Sequence, residues 1–274
     1  MKFRDRVFVV TGGANGMGRH VALLLVDKGA RVAAVDVDAV GLKATAGLAD
    51  SRHGQISTHE VDVTDRSATG ALPDAVVAAH GAVDGLVNVA GIIHRFARVN
   101  DLEFDEIERL LNINFFGVLN MTKAFLPHLL TRPEANITLV SSMGSYAPVP
   151  GQTIYGASKA AVKMLGEGLD SELRDTNVRV TVVFPGAVRT DIAVNSGAMS
   201  RDQNEATANS MRMLPPRVAA AKIVRGIERD SHRVFAGVDA LLLDKLNRIA
   251  PSQAAKLIWR QMRDVLPAAG HDAG

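Results

Sequence analysis

The sequence predicts an α/β fold: a doubly wound, seven-stranded parallel sheet with helices on both faces, plus a C-terminal helical extension. Three observations predict it. Short β-branched runs alternate with longer stretches of helical periodicity, the pattern of parallel strands joined by crossover helices. The strand segments are apolar almost without interruption, as suits strands covered on both faces. No repeat, low-complexity segment or Pro/Gly/Ser linker divides the 274 residues, so a single domain over 1–274 is expected.

Strands are expected at Val7 to Val10, Arg31 to Val35, Ile56 to Val61, Gly85 to Val89, Ile137 to Ser141, Val178 to Phe184 and Val234 to Ala236. From Gly18 to Lys28, Val21, Leu24, Leu25 and Lys28 follow a helical period, and Gly29 supplies a stop. The two longest helices are expected from Phe104 to Leu130 and from Gln152 to Leu173. Ala193 to Met213, polar and Met-containing, reads as a mobile loop within a lid of about 191–214. Pro215 and Pro216 open a helix through Arg229, because proline is tolerated in a first turn.

An extension follows at about 239–267. Leu241, Leu242, Leu243, Leu246 and Ile249 make one apolar helical face. Leu257, Ile258, Trp259, Met262, Val265 and Leu266 make another, interspersed with Lys256, Arg260 and Arg263. These faces are expected to pack against the body or a partner subunit, with contact to a membrane surface the lesser alternative. Ala268 to Gly274 is expected to be disordered.

Composition narrows the function classes. Hydrophobic residues make up 47% and charged residues 22%, ordinary for a globular protein. A formal net charge of +2 gives no argument for nucleic acid. With no Cys, disulfides and thiolate chemistry are excluded, and a cytoplasmic location is expected. The start, MKFRDRVFVVTGG, does not read as a signal peptide, and no apolar run approaches the roughly 18–20 residues of a membrane span. The eight His residues are scattered without ligand spacing, so no metal is expected.

The first expected strand leads into Thr11-Gly12-Gly13-Ala14-Asn15-Gly16-Met17-Gly18 and then a helix. Glycines in such a turn let the backbone approach a pyrophosphate, whose charge is met by free N–H groups at the helix N-terminus. This is Rossmann-type architecture. Asp36 ends the next strand twenty positions beyond Gly16, where a carboxylate receives the adenosine ribose hydroxyls. It repels a 2′-phosphate, and Val37 offers no compensating Arg, so NAD is favoured over NADP.

Tyr155 and Lys159 are four apart, which on a helix puts them on one face. Small residues, Ala157, Ser158, Ala160 and Ala161, let that helix approach a neighbour or a flat ligand. A phenol titrates near ~10 unperturbed, and a nearby cation draws it toward the range of a general acid or base. Alone, this spacing also occurs on many solvated helices.

Together with the Gly-x-x-x-Gly-x-Gly spacing of the turn, these motifs give a chain that resembles the single-domain short-chain dehydrogenase/reductase family from about Val7 to Gly237. The resemblance implies an NAD-dependent oxidoreductase acting on a secondary alcohol or ketone. It implies that Gly12, Asn15, Gly16, Met17 and Gly18 hold the pyrophosphate end, with Asp36 and Val37 at the ribose and Asp62 and Val63 at the adenine. Asn88, Ala90 and Gly91 would lie along the cofactor, although Val89 stands where a second Asn is usual. Pro185, Gly186, Val188 and Thr190 would border the nicotinamide.

Four residues carry the implied chemistry. Ser142, thirteen positions before Tyr155, would bind the reacting oxygen; Tyr155 would be the general acid/base; Lys159 would hold the ribose and favour tyrosinate; Asn114 would hold a water leading to Lys159. Ser141 is expected only to satisfy a strand end. Met143, Tyr146, Val149, Gln152 and Ile192 are pocket-wall candidates. With Met199, Met211 and Met213 from the lid they lean toward an apolar small-molecule substrate. His94 is a candidate for the substrate mouth, although a surface position is the stronger expectation. A homo-oligomer, dimer or tetramer, is implied. The alternatives are an NADPH-linked 3-oxoacyl reductase, against which Asp36 argues, and a dinucleotide-binding regulator without chemistry, which would ordinarily lack one of Ser142, Tyr155 and Lys159.

Overall fold

The structure, a computed structural model, describes residues 1–50, 55–210 and 213–262. Met211, Arg263, Val265, Leu266 and the expected tail from Ala268 fall outside them. Its strands are β1 (Val7–Thr11), β2 (Arg31–Asp36), β3 (Ile56–Glu60), β4 (Gly85–Asn88), β5 (Ala135–Val140), β6 (Val178–Pro185) and β7 (Arg233–Ala236). All pair in parallel, in the order β3-β2-β1-β4-β5-β6-β7. Because every strand runs the same way, their C-terminal ends share one edge. The chain reverses direction across the sheet between β1 and β4, the switch point at which open α/β sheets bind ligands.

Helices α1 (Gly16–Asp27), α2 (Ala39–Asp50) and α3 (Arg66–His80) follow the first three strands. One face of the sheet packs Val9, Leu86 and Ile137 against Val76, Phe125 and Val162; the other packs Phe8, Val10 and Val87 against Val21, Leu25 and Ile223. Both faces are therefore covered, and the central strands β1, β4 and β5 are buried from end to end. The edge strand β3 (Ile56–Glu60), read from the sequence as apolar, instead carries Ser57, Thr58, His59 and Glu60 and is partly exposed.

The expected helix from Phe104 to Leu130 is divided. It runs as α4 (Phe104–Leu111), a π-helical segment Asn112–Gly117, then α5 (Val118–Leu130). Gly117 is required here, because a Cβ would lie 2.6 Å from the Val63 side chain. The catalytic-helix candidate is α6 (Thr153–Glu172).

The lid differs from the expected mobile loop. It contains α7 (Ile192–Asn195) and α8 (Arg201–Ser210). Reciprocal bonds start α8: Ser200 N–H donates to Gln203 Oε1 at 2.9 Å, and Gln203 N–H donates to Ser200 Oγ at 3.2 Å. A capping box of this kind satisfies free helix-end donors without any apolar stripe, so periodicity gave no sign of it.

Beyond α9 (Pro216–Glu228), the extension forms α10 (Val238–Ile249) and α11 (Pro251–Met262). For α10 a single chain addresses only the expected packing against the body. Leu241, Leu242 and Ile249 are exposed, and the helix instead buries Ala240 and Asp244. Asp244 takes a core position because Arg233 and Arg248 neutralise it at 3.2 and 2.9 Å. On α11, Ile258 is buried while Leu257 and Trp259 are exposed.

Candidate active site

A groove of about 370 Å³ runs along the C-terminal edge of the sheet, over the switch point. Gly12, Asn15, Gly16, Met17 and Gly18 line one side of it, with Asp36 and Val37 at the end of β2, Asp62 and Val63 after β3, and Ala90 and Gly91 after β4. Thr190 and Ile192 close the far side. Gly12 and Gly16 have positive φ, 69° and 52°, so the turn bends in a way that side-chain-bearing residues avoid. A Cβ on Gly18 would collide with the Gly12 carbonyl, so its absence is what seats α1 directly on the turn. Thr11 Oγ1 accepts from the Val89 and Ala90 N–H groups at 3.0 and 3.1 Å and ties the β1 turn to the β4 turn.

Asp36 is fixed rather than free. Its carboxylate accepts from Ala14 N–H at 3.0 Å and from Asp38 N–H at 3.2 Å. Val37, 62% exposed, contributes no cation. The neighbouring Arg19 donates to Thr45 Oγ1 at 2.9 Å and to the Ala14 and Gly41 carbonyls, so its guanidinium is engaged behind the turn. Asn88 is buried at the end of β4 with no acceptor for its Nδ2. A buried amide donor beside a glycine-walled groove fits a dinucleotide, which offers ribose hydroxyls and phosphate oxygens. Pro185, Gly186 and Val188 form the turn after β6, next to the groove rather than in its wall.

Three elements meet beyond Gly91. Ser142 caps the 3₁₀ turn Met143–Ser145 after β5, its Oγ accepting from Gly144 N–H at 3.0 Å. Gly144 and Gly156 face each other; a Cβ on Gly156 would lie 2.9 Å from the Gly144 carbonyl. This contact brings the Ser142 turn against the first turn of α6, which carries Tyr155. Ser141 does more than end a strand: its Oγ donates to the Lys159 carbonyl at 2.7 Å and binds β5 to α6. Lys159 Nζ donates to the Val140 carbonyl at 3.1 Å. A Cβ on Gly91 would be 3.1 Å from both Lys159 Nζ and Asn114 Oδ1, so all three groups adjoin.

Asn114 lies in the π segment, a helix form common at functional sites. Its Oδ1 accepts from Ile92 N–H at 2.8 Å, while Nδ2 donates to the Ile92 carbonyl at 2.9 Å and to Ser158 Oγ at 3.1 Å. Its amide therefore clamps the strand-end loop to α6.

The electrostatics differ from the expectation that Lys159 lowers the Tyr155 phenol. Burial pushes Tyr155 up, against a weaker opposite pull from its hydrogen bond with Ser142. Lys159 is itself buried and pushed down to about 8 by desolvation. Its Nζ is 5.9 Å from the Tyr155 ring centroid and bonded to a carbonyl instead of the phenol. With no counter-charge beside either group among the described residues, desolvation favours both neutral forms.

The substrate side is built from loops. His94 is buried, not on the surface, because the loop after β4 folds over it. Its Nδ1 is 2.6 Å from the Arg95 carbonyl, which can only accept, so Nδ1 carries the hydrogen. Burial lowers the His94 pKa, and the neutral ring leaves Nε2 as a buried acceptor without a partner. Gln152 Nε2 donates to the His94 carbonyl at 2.6 Å, and its Oε1 is also without a partner. Tyr146 is half-buried, with its hydroxyl turned away to donate to the Ala240 carbonyl at 2.6 Å. Met143 and Val149 are half-buried in the same loop.

Residues not anticipated also line the groove: Arg109 and Ile113, one turn apart on α4 and the π segment, and Asn195 and Ser196 from the lid. The four-residue spacing of Arg109 and Ile113 was a usable signal; nothing local marked Ser196. Ser196 Oγ accepts from Ile93 N–H at 3.1 Å and latches the lid across 103 positions of sequence.

Comparison with known proteins agrees with this fold. The short chain dehydrogenase family description matches residues 6–201. SadH of Mycobacterium tuberculosis, named as an oxidoreductase, is 37% identical over 262 residues, 93% of this chain and 95% of that protein. A short chain dehydrogenase/reductase from Burkholderia phymatum in complex with NAD superposes with a TM-score of 0.83 at 23% identity, covering 92% of this chain and 96% of that one. Another, from Burkholderia cenocepacia in complex with NADP, gives 0.79 at 23% identity over 94% and 99%. The structures share the fold; the family match and the identity to SadH establish descent, and the chain belongs to the short-chain dehydrogenase family.

Proposed function

We propose that this enzyme is an NAD-linked oxidoreductase of secondary alcohols or ketones, with Tyr155 as general acid/base. The adjacency of Tyr155, Ser142 and Lys159 at the nicotinamide end of a dinucleotide groove carries this reading. When bound, the dinucleotide supplies one chemical capacity, taking or giving hydride. The chain's own residues do the rest. Ser142 Oγ holds the reacting oxygen, and Tyr155 Oη receives the hydroxyl proton in oxidation and returns it in reduction. In the structure as it stands burial keeps the phenol protonated. Positive charge brought beside it favours tyrosinate, and Lys159, at about 8, is largely charged near neutral pH. Oxidation therefore gains with rising pH and reduction with falling pH.

Asp36 supports NAD over NADP. Its carboxylate sits where a 2′-phosphate would be repelled, and Arg19 spends Nε and Nη2 on Thr45, Ala14 and Gly41 behind the turn. A cavity of about 420 Å³ between the His94 loop and α8, lined by Phe96, Ala198 and Met199 with Arg95 and Gln203, supports an apolar substrate body. Exposed Phe104 and Met164, on α4 and α6, support a homo-oligomer.

The test is a panel of secondary alcohols of increasing apolar size, with NAD and NADP in parallel. The expected outcome is NADH formation, strongest with the larger alcohols, and slower turnover with NADP. Equal or faster rates with NADP would overturn the role given to Asp36.

A further inference from the structure

Asp239, in the first turn of α10, belongs to no motif of the site, yet it reaches the turn after β6. Its Oδ2 accepts a hydrogen bond from the Ala187 N–H at 3.1 Å. A Cβ on Gly186 would collide with this carboxylate, and so would a Cβ on Gly237. The two glycines follow paired strand ends: Pro185 is in register with Ala236, and Gly186 N–H donates to the Ala236 carbonyl at 3.1 Å. Gly237 has φ 149°, a conformation side-chain-bearing residues avoid. Together they form a backbone slot with the Asp239 carboxylate in it. The first turn of a helix also favours a carboxylate electrostatically.

The same helix is held to the site twice more. Tyr146, directly after the Ser142 turn, donates to the Ala240 carbonyl at 2.6 Å, and burial with the Asp244 and Asp239 charges keeps that phenol protonated as a donor. Asp244 holds Arg233 at 3.2 Å, whose guanidinium lies 4.7 Å from the ring centroid of Phe184, the residue before Pro185. Helix α10 thus touches both strand-end turns that flank the reacting centre.

We propose that Asp239 is a positioning residue, which fixes the Pro185–Thr190 turn for the nicotinamide and makes α10 a working part of the cofactor site. The proposal rests on the reading above, in which this turn borders the nicotinamide. Asp239 orients the Ala187 N–H, and Leu214 N–H holds the Ala187 carbonyl at 2.8 Å. With the first tie cut, Ala187, the residue before Val188, is held through its carbonyl alone.

The test compares two ligands that differ only at the nicotinamide end. NADH and ADP-ribose are titrated into the full chain carrying Asp239→Ala, Asp239→Asn or Asp239→Ser. Asp239→Ala is expected to weaken NADH about tenfold, the loss of one charge-assisted hydrogen bond, and ADP-ribose less than about twofold. Asn keeps an acceptor oxygen in the slot and restores most of the NADH affinity. Ser keeps a helix N-terminal acceptor but does not reach Ala187, so it gives the same selective loss as Ala and serves where the Ala variant is unstable. Equal weakening of both ligands, or unchanged NADH affinity, would overturn the proposal. A wild-type protein that binds neither ligand would instead overturn the dinucleotide reading itself, so the two failures are distinct.

Discussion

The two ends of the groove are built from different materials. From β1 to β4 the wall is backbone: Gly12, Gly16 and Gly18 clear space, Thr11 ties adjacent turns, and Asp36 is held by two N–H groups within the same region. From β5 to β7 the wall is assembled by side chains reaching across long stretches of sequence. Asn114 holds Ile92, Gln152 holds the His94 carbonyl, Ser196 holds Ile93 and Asp239 holds Ala187. A dinucleotide is one constant ligand, which a backbone wall suits; substrates vary, and a wall of separate clasps is free to vary with them.

Lys159 lies on the boundary between these halves, and its removal gives a large expected effect. Turnover of Lys159→Met is expected to fall by about 10²–10⁴-fold, the range of general acid–base contributions. Stability should move the other way. A lysine depressed from 10.5 to about 8 is held charged in the fold below pH 8 at a cost on the order of 3 kcal/mol. That cost recedes as pH rises from about 8 to the unfolded value. Lys159→Met should therefore melt about 5 °C higher at pH 7, with the gain shrinking above pH 8. A lower melting point at pH 7 would show that Nζ is stabilised by groups other than the Val140 carbonyl.

A smaller effect is expected at the lid. Ser196→Ala removes one neutral hydrogen bond to Ile93, and NADH release followed by stopped flow should quicken about threefold. Unchanged release would mean that the rest of the lid, not this latch, retains the cofactor, and would break the contrast between wall and clasp.

The same contrast explains what was legible in the sequence. The sheet, the glycine turn, Asp36 and the order Ser142, Tyr155, Lys159 are local patterns, and each is found in the structure where its spacing placed it. The lid helix α8 has no apolar period, because reciprocal capping bonds start it. His94 looked like a surface residue because its burial comes from a loop folding over it. Within the chain α10 turns Asp244 rather than Leu242 or Ile249 to the body, because Arg233 arrives from β7 to pair with it. The upward shift of Tyr155 was equally hidden: spacing placed Lys159 nearby but did not show its ammonium bonded to Val140.

The central claim is that the chain transfers a proton through Tyr155 at the end of a dinucleotide groove. Tyr155→Phe keeps the ring in its half-buried site and removes only the hydroxyl. NADH affinity and turnover should be measured together on this variant, with the best alcohol of the panel. NADH binding is expected within about twofold of wild type and turnover lower by about 10³-fold or more. Turnover within tenfold of wild type would contradict proton transfer through Tyr155.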